Sequence, residues 1–287
     1  MVEPIARTEL PRYVHHIRSE SDDRSEVSEQ RASYVFDTPF GGEEERLALG
    51  ERLWDPGTFA RLGTLGVGAG WRCLEVGAGR GSAAGWMAQR GAAVTAVDLD
   101  TSRLKWLRAL GVAVHTLDVT TDELPVSTYD LVHARLVVQH IGDRADTVRR
   151  LCRSLRPGGH LVVEDTDTTA LFSHPHESFH REVKRAAYEV MTEAGYHPRC
   201  GLLDMELAET AGLADVRADG RAEIVRGGSP ESRWFTLWLE HLRPAMLARG
   251  TVSDVDIDAA IADFGDPQHI WLSQVMITVV GRKGESR

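Results

Sequence analysis

Two rhythms of apolar residues run through this chain. Between residues 72 and 164 short runs that are apolar almost throughout alternate with amphipathic stretches of helical period. The runs are Arg72-Cys73-Leu74-Glu75-Val76, Ala93–Val97, Val112–Leu117, Tyr129–Ala134 and His160–Glu164. The intervening helices are predicted over Ser82–Gln89, closed by Gly91, over Thr101–Leu110, and over Ala145–Leu155. Strands that do not alternate are buried on both faces, so the pattern predicts βαβ units and a parallel sheet covered on two sides. Upstream, Glu43–Leu53 has helical period, and Asp55-Pro56 predicts an N-cap followed by Pro at the first position of a second helix running to Leu65. Past residue 165 the rhythm changes. Two helices are expected over Thr166–Asp215, a strand over Val216–Val225, a helical stretch over Glu231–Phe264 and a last strand over Trp271–Val280. There is no internal repeat. Residues 1–30 are polar and unpatterned, which predicts a mobile arm.

Composition narrows the class without changing the picture. The 287 residues, 42% hydrophobic and 26% charged, are those of a globular chain. No apolar run approaches the ~20 residues of a spanning helix, and the N-terminal stretch has no signal-peptide core. Cys73, Cys152 and Cys200 are odd in number and form no CxxC pair. A reduced, cytoplasmic protein is the expectation. The net charge of −10, with no basic run, disfavours nucleic acid as a partner.

The first strand runs into Gly77-Ala78-Gly79-Arg80-Gly81. Glycines at a strand end let a ligand approach backbone, and the following helix N-terminus offers unpaired N–H groups. Alone this is compatible with a nicotinamide-dinucleotide turn. Three carboxylates change the balance. Glu75 precedes the first glycine and suits an ammonium group. Asp98 ends the second strand about 20 residues on, the place for a carboxylate on ribose hydroxyls. Asp118 ends the third strand, where an exocyclic amine needs an acceptor.

Ammonium, ribose and amine along one crevice describe S-adenosylmethionine. With LEVGAGRGS, AVDLD and LRPGGHLVVED, the segment 71–165 resembles the small-molecule branch of the class I S-adenosylmethionine-dependent methyltransferases. The resemblance implies a doubly wound seven-stranded Rossmann-like sheet of order 3-2-1-4-5-7-6, its last strand antiparallel, with a helical cap. Residues 31–287 would form this domain, with 66–165 as cofactor core and 31–65, 166–215 and 226–270 as cap. It implies a cofactor site of Glu75, Gly77, Ala78, Gly79, Asp98, Leu99, Asp118, Val119, Ala134 and Arg135. Methyl transfer to a small, aromatic or natural-product acceptor is then expected. A nucleic-acid or protein methyltransferase, and a cofactor-binding protein without transfer, remain alternatives.

Acceptor chemistry is less legible. Where aminomethylating relatives carry the Asn of an Asn-Pro-Pro-Tyr motif, this chain has Arg135-Leu136. Arg135 is a candidate for binding the cofactor or an anionic acceptor, or for a scaffold role paired to a local acid. His133 and His140 are candidate bases, or helix caps. Asp165 and Asp167 are placed at the crevice mouth, Asp165 as a candidate catalytic carboxylate. His174, His176 and His180 have a spacing that a metal could use, but imidazoles that line a pocket or face solvent are the reading here, and no metal is expected. Trp234, Trp238 and His241 share a helix face that packs on the sheet or walls an acceptor site. Tyr34 and Phe36 are expected to close that site, with Phe172, Phe179 and Phe235 as further aromatic wall. Oligomeric state is not legible.

Overall fold

The computed structural model describes residues 34–36, 39–174 and 180–285. The predicted arm, His176 and Phe179 lie outside them. The apolar runs form one seven-stranded sheet of β1 (Arg72–Val76), β2 (Ala93–Asp98), β3 (Ala113–Thr116), β4 (Tyr129–Arg135), β5 (Leu155–Asp167), β6 (Leu213–Arg221) and β9 (Val275–Lys283). Its order is β3-β2-β1-β4-β5-β9-β6. The first five strands are parallel, and β9 runs antiparallel to both β5 and β6. This is the expected order, and the two-sided burial of β4 and β5 explains their unbroken apolar sequence.

Five predicted elements differ from the sequence reading. α1 (Glu43–Thr64) runs through Pro56 as one helix. The Asp55 carboxylate does not cap a new helix but binds Arg135 Nη2 at 2.8 Å, and Trp54, Thr58 and Leu62 form a continuous buried face across the proline. β5 begins at Leu155 and ends at Asp167, with a register shift opposite Tyr129–Leu131 that absorbs Pro157-Gly158-Gly159. The strand expected over 216–225 parts into β6 and β7 (Ile224–Arg226), and that over 271–280 into β8 (Ile270–Leu272) and β9. Both part at one level, where Glu223 N donates to Ser273 Oγ and Ser273 N to Glu223 O. β7 and β8 then pair by themselves. The stretch 231–264 is two helices, α6 (Pro230–Arg249) ended by Gly250 and α7 (Asp254–Gly265) opened by a Ser253–Asp256 capping box.

Around the sheet, α2 (Ser82–Gln89) and a 3₁₀ helix (Ser102–Leu110) cover one face with the end of α1. α3 (Arg144–Ser154) and α5 (Cys200–Thr210) cover the other. α5 was expected in the cap; Cys200 and Ala208 instead join the sheet core. A second aromatic core joins α4 (Arg181–Glu193), α6, α7 and the antiparallel β7–β8 pair around Phe172, Phe235 and Trp271. No helix among the described residues is long and apolar enough to cross a membrane.

Candidate active site

The glycine turn leaves β1 at the centre of the sheet, where the strand order reverses between β1 and β4. That is the switch point at which open α/β sheets bind ligands. Gly77 has φ +63, and a Cβ there would lie 2.3 Å from Val137 Cγ2, so no other residue fits. Above Gly79 the space is open. Asp98 accepts hydrogen bonds from Gly79 N at 2.8 Å and from Asp100 N at 3.0 Å, which ties the end of β2 to the turn. Ala78 N donates to Val97 O across the same gap. Leu99 beside it is 57% exposed, whereas Val119 is buried. Asp118 accepts from Thr120 N and Oγ1 and leaves β3 next to β2, as expected. Arg80, inside the turn, binds Glu44 and Glu51 of α1 at 2.7 and 2.5 Å. The first half of α1 therefore lies against the turn.

Below the turn is a buried polar network. His133 Nδ1 meets Glu75 Oε2 at 2.6 Å, the two residues being register partners on β4 and β1. His133 Nε2 lies 3.4 Å from Glu164 Oε2. Burial pushes the His133 pKa down, but Glu75 and Glu164 outweigh it and raise it to about 9. Glu164 accepts from Thr58, from Thr278 Oγ1 at 2.7 Å and from Arg221 Nη1 at 3.1 Å. Burial alone would raise the Glu164 pKa; His133, Arg221 and Arg135 instead hold it far below the usual carboxylate range. Gly57 makes this possible, because a Cβ there would sit 2.1 Å from Arg221 Nε. A general base needs a free nitrogen facing substrate. His133 is 0% exposed with a carboxylate on each nitrogen, so the geometry does not suit it to that role. Ala134 is fully buried beside it. Arg135 binds Asp55, Thr58 Oγ1 at 3.0 Å and Ser82 Oγ at 3.4 Å. It joins α1 to the N-terminus of α2, and the local acid of the scaffold reading is Asp55.

Asp165 is not at the crevice mouth. β5 continues past it, and its side chain is 0% exposed. Its Oδ2 accepts from Gln139 N at 3.0 Å. Asp165, Cys200 and Asp204 offer ligand atoms within 4.8 Å of one another. Burial, then the charge of Asp204, raises the Asp165 pKa well above the ordinary value, and burial brings Asp204 to about 7. One proton shared between the two carboxyls satisfies this arrangement. Asp167 is 7% exposed and binds Arg199 at 3.2 Å.

Beyond β4 an aromatic group forms at the edge of the cap core. Tyr34, Phe36, His140 and His241 come together: the His140 ring lies 5.1 Å from Tyr34, 5.9 Å from Phe36 and 5.1 Å from Tyr196, and the His241 ring 5.1 Å from Phe36. Trp234 and Trp238 belong to the cap core, which Phe36 and Tyr196 also join, and Trp238 lies 5.5 Å from Tyr188. Their helix face packs inside the cap. Phe172 and Phe235 belong to the same core. His180 binds Asp263 at 2.6 Å. Sequence reasoning missed Arg46, which lies over the Phe36 ring at 4.4 Å and holds Glu43 with two bonds of 2.7 Å. Burial would raise the Glu43 pKa, yet His241 and Arg46 lower it to about 2. It also missed Gln139, Glu164 and Arg221. An Arg among the acids of a helix start, and a Glu closing an apolar run, were the available signals.

Comparison with known proteins adds to this geometry. Residues 74–163 match a family model described as a methyltransferase domain. Phosphoethanolamine N-methyltransferase 1 of Triticum aestivum is 28% identical over 195 residues, 58% of this chain and 39% of that one. The ubiquinone biosynthesis O-methyltransferase of Marinobacter nauticus is 33% identical over 138 residues, 40% of this chain and 58% of that one. The chain thus spans less than two thirds of each of these two relatives. Two solved structures share the fold. Haemonchus contortus phosphoethanolamine N-methyltransferase 2, in complex with phosphomonomethylethanolamine and S-adenosylhomocysteine, has a TM-score of 0.50 at 18% identity, over 88% of this chain and 56% of that one. The YcgJ protein of Bacillus subtilis has a TM-score of 0.54 at 16% identity, over 79% and 97%.

Proposed function

We propose that this chain is a class I S-adenosylmethionine-dependent methyltransferase, a reading that the methyltransferase-domain match over residues 74–163 supports, and that it transfers a methyl group from S-adenosylmethionine to a small acceptor held at the Tyr34–His140 aromatic cluster. The observation that carries the reading is the junction of Asp98 with the Gly79 N–H at the switch point. Open space over Gly79 and the exposed Leu99 beside the carboxylate fit a nucleoside whose ribose and base lie along the ends of β2 and β3. Bound there, the cofactor supplies an electrophilic methyl carbon on a sulfonium.

The chain's own residues have three tasks. Asp98 takes the ribose hydroxyls and Asp118 the adenine side, with Gly77, Ala78 and Gly79 as backbone cradle. Arg135 and Arg80 hold α1 against the turn, so that water is kept from the crevice. The aromatic cluster orients the acceptor, because in-line transfer gains most from position. Two features favour a small acceptor. The enclosure is aromatic, which suits a compact ligand, and the net charge of −10 gives nothing to a phosphate backbone. The relatives' names, one for phosphoethanolamine and one for ubiquinone biosynthesis, support the same class.

Calorimetry with S-adenosylhomocysteine tests the site. Asp98→Ala should weaken binding at least ~10-fold, about 1.4 kcal/mol; unchanged affinity would remove the assignment. Labelled methyl appearing only in protein or nucleic-acid fractions would overturn the small-acceptor reading.

A further inference from the structure

We propose that Gln139 is a positioning residue that fixes the tautomer of His140, so that the ring presents Nδ1–H as a hydrogen-bond donor to an oxygen of the acceptor. The inference rests on the reading of the aromatic cluster as the acceptor site, but its central claim concerns a proton on one ring.

The proton is located by following the donors. Thr166 N can only donate, and it reaches Gln139 Oε1 at 3.0 Å. This identifies the oxygen of the amide. Thr166 Oγ1 also gives its proton to Oε1, at 2.8 Å. Toward Tyr196 Oη, 3.1 Å away, the threonine hydroxyl therefore accepts, and Tyr196 donates. Gln139 Nε2 is left with protons only, and it lies 3.2 Å from His140 Nε2. His140 Nε2 must accept. Burial, then the charges of Arg46 and Arg144, pulls the His140 pKa down to about 3, so the ring is neutral and has one proton. That proton is on Nδ1.

Gln139 is itself fixed from several sides. It is 4% exposed, its N–H donates to Asp165 and its carbonyl accepts from His197 N at 2.8 Å. An amide anchored in this way cannot turn over to offer its oxygen to the ring. Nδ1, on the other edge of the imidazole, has no hydrogen-bond partner among the described residues. The ring sits among Tyr34, Phe36 and Tyr196, in the first turn after β4. A neutral donor in an aromatic enclosure recognises an oxygen lone pair. His140 then holds the acceptor by that oxygen rather than taking its proton.

Imidazole ¹⁵N spectra of the full chain with S-adenosylhomocysteine read the tautomer directly, the His140 signals being those lost in His140→Gln. The expected spectrum has a protonated Nδ1 and a bare Nε2 across neutral pH. Gln139→Glu puts a carboxylate oxygen against Nε2 and should move the proton there. Thr166→Val keeps the Thr166 N–H on the amide and should leave Nδ1–H in place, with an unchanged melting curve as the control for folding. A wild-type ring protonated at Nε2, a Gln139→Glu spectrum like wild type, or a switch in Thr166→Val would each overturn the proposal. The spectra require no turnover. An Nδ1–H ring in a protein that methylates nothing would sink the proposed function alone, and an Nε2–H ring in an active one would sink this inference alone.

Discussion

Glu164 and Asp165 are consecutive on β5, and both are 0% exposed. Their side chains leave the sheet on opposite faces and acquire opposite states. Glu164 enters a layer with His133, Arg221 and Arg135, and stays ionised far below the ordinary carboxylate range. Asp165 enters the α5 side, faces Asp204, and holds a proton well above it. Depth is equal, so depth does not decide charge. The partners decide it: a buried carboxylate with cations is a keystone, and a buried carboxylate opposite another becomes half of a neutralised pair. The keystone ties α1 to the sheet beneath the glycine turn, through Thr58 and Arg221. The pair lies behind Gln139 and His140.

Removing the keystone gives the largest expected effect. Glu164→Ala leaves the Arg221 guanidinium and the His133 ring without their shared anion and should cost about 3–5 kcal/mol in urea unfolding. Cofactor affinity should fall with it, because α1 loses its attachment near the turn. A loss under ~1 kcal/mol would mean that Glu164 is no keystone, and the comparison would break there.

The pair predicts a smaller effect with a definite sign. The Asp204 pKa is raised from 3.8 to about 7 in the folded state. Between those values the native protein binds more protons than the unfolded chain, so stability falls as pH rises through that window. Glu164 acts in the other direction: its contribution is present above the unfolded value of 4.5 and is lost on acidification. Asp204→Asn removes one carboxyl and offers Asp165 an amide donor. It should flatten the decline and stabilise the protein above pH 7 by roughly 1–3 kcal/mol. Denaturant midpoints measured from acid to mildly alkaline pH check this. A slope as steep as wild type in the variant would refute proton sharing.

Much of this was legible in the sequence, and the reason is local. The parallel strands follow from apolar runs and glycine breaks, their order from the family resemblance those motifs carry, and the place of Asp98 at the end of β2 from its spacing after Gly77, each signal lying within a few dozen residues. Glu164 was visible only as the end of a strand, because its partners Thr58 and Arg221 lie 106 and 57 residues away. Pro56 misled because a local rule was overridden: the buried Trp54–Thr58–Leu62 face and the Asp55–Arg135 pair keep the helix whole. His133 and His140 looked alike in sequence. One entered the keystone layer and one the aromatic cluster, since alternation along β4 ends at Arg135 and the chain turns before His140.

The finest test separates the ion from its hydroxyl supports. Thr278 Oγ1 donates to Glu164 Oε1 at 2.7 Å and accepts from Arg221 Nη1 at 3.0 Å, all within the layer that holds α1. Thr278→Val keeps the shape and removes both bonds, yet Glu164 retains Arg221 and Thr58, and Arg221 retains Glu164 and the Trp54 carbonyl. No charge is stranded, so the expected loss for the two bonds is about 1–2 kcal/mol. The acid limb of the stability profile should keep its position, since the cations that hold Glu164 ionised are untouched. Urea unfolding at neutral and acid pH reads both quantities. A Thr278→Val loss as large as that of Glu164→Ala would place the keystone in the hydroxyl network rather than in the ion. The contrast with Asp165 would then be one of hydrogen bonding and not of charge.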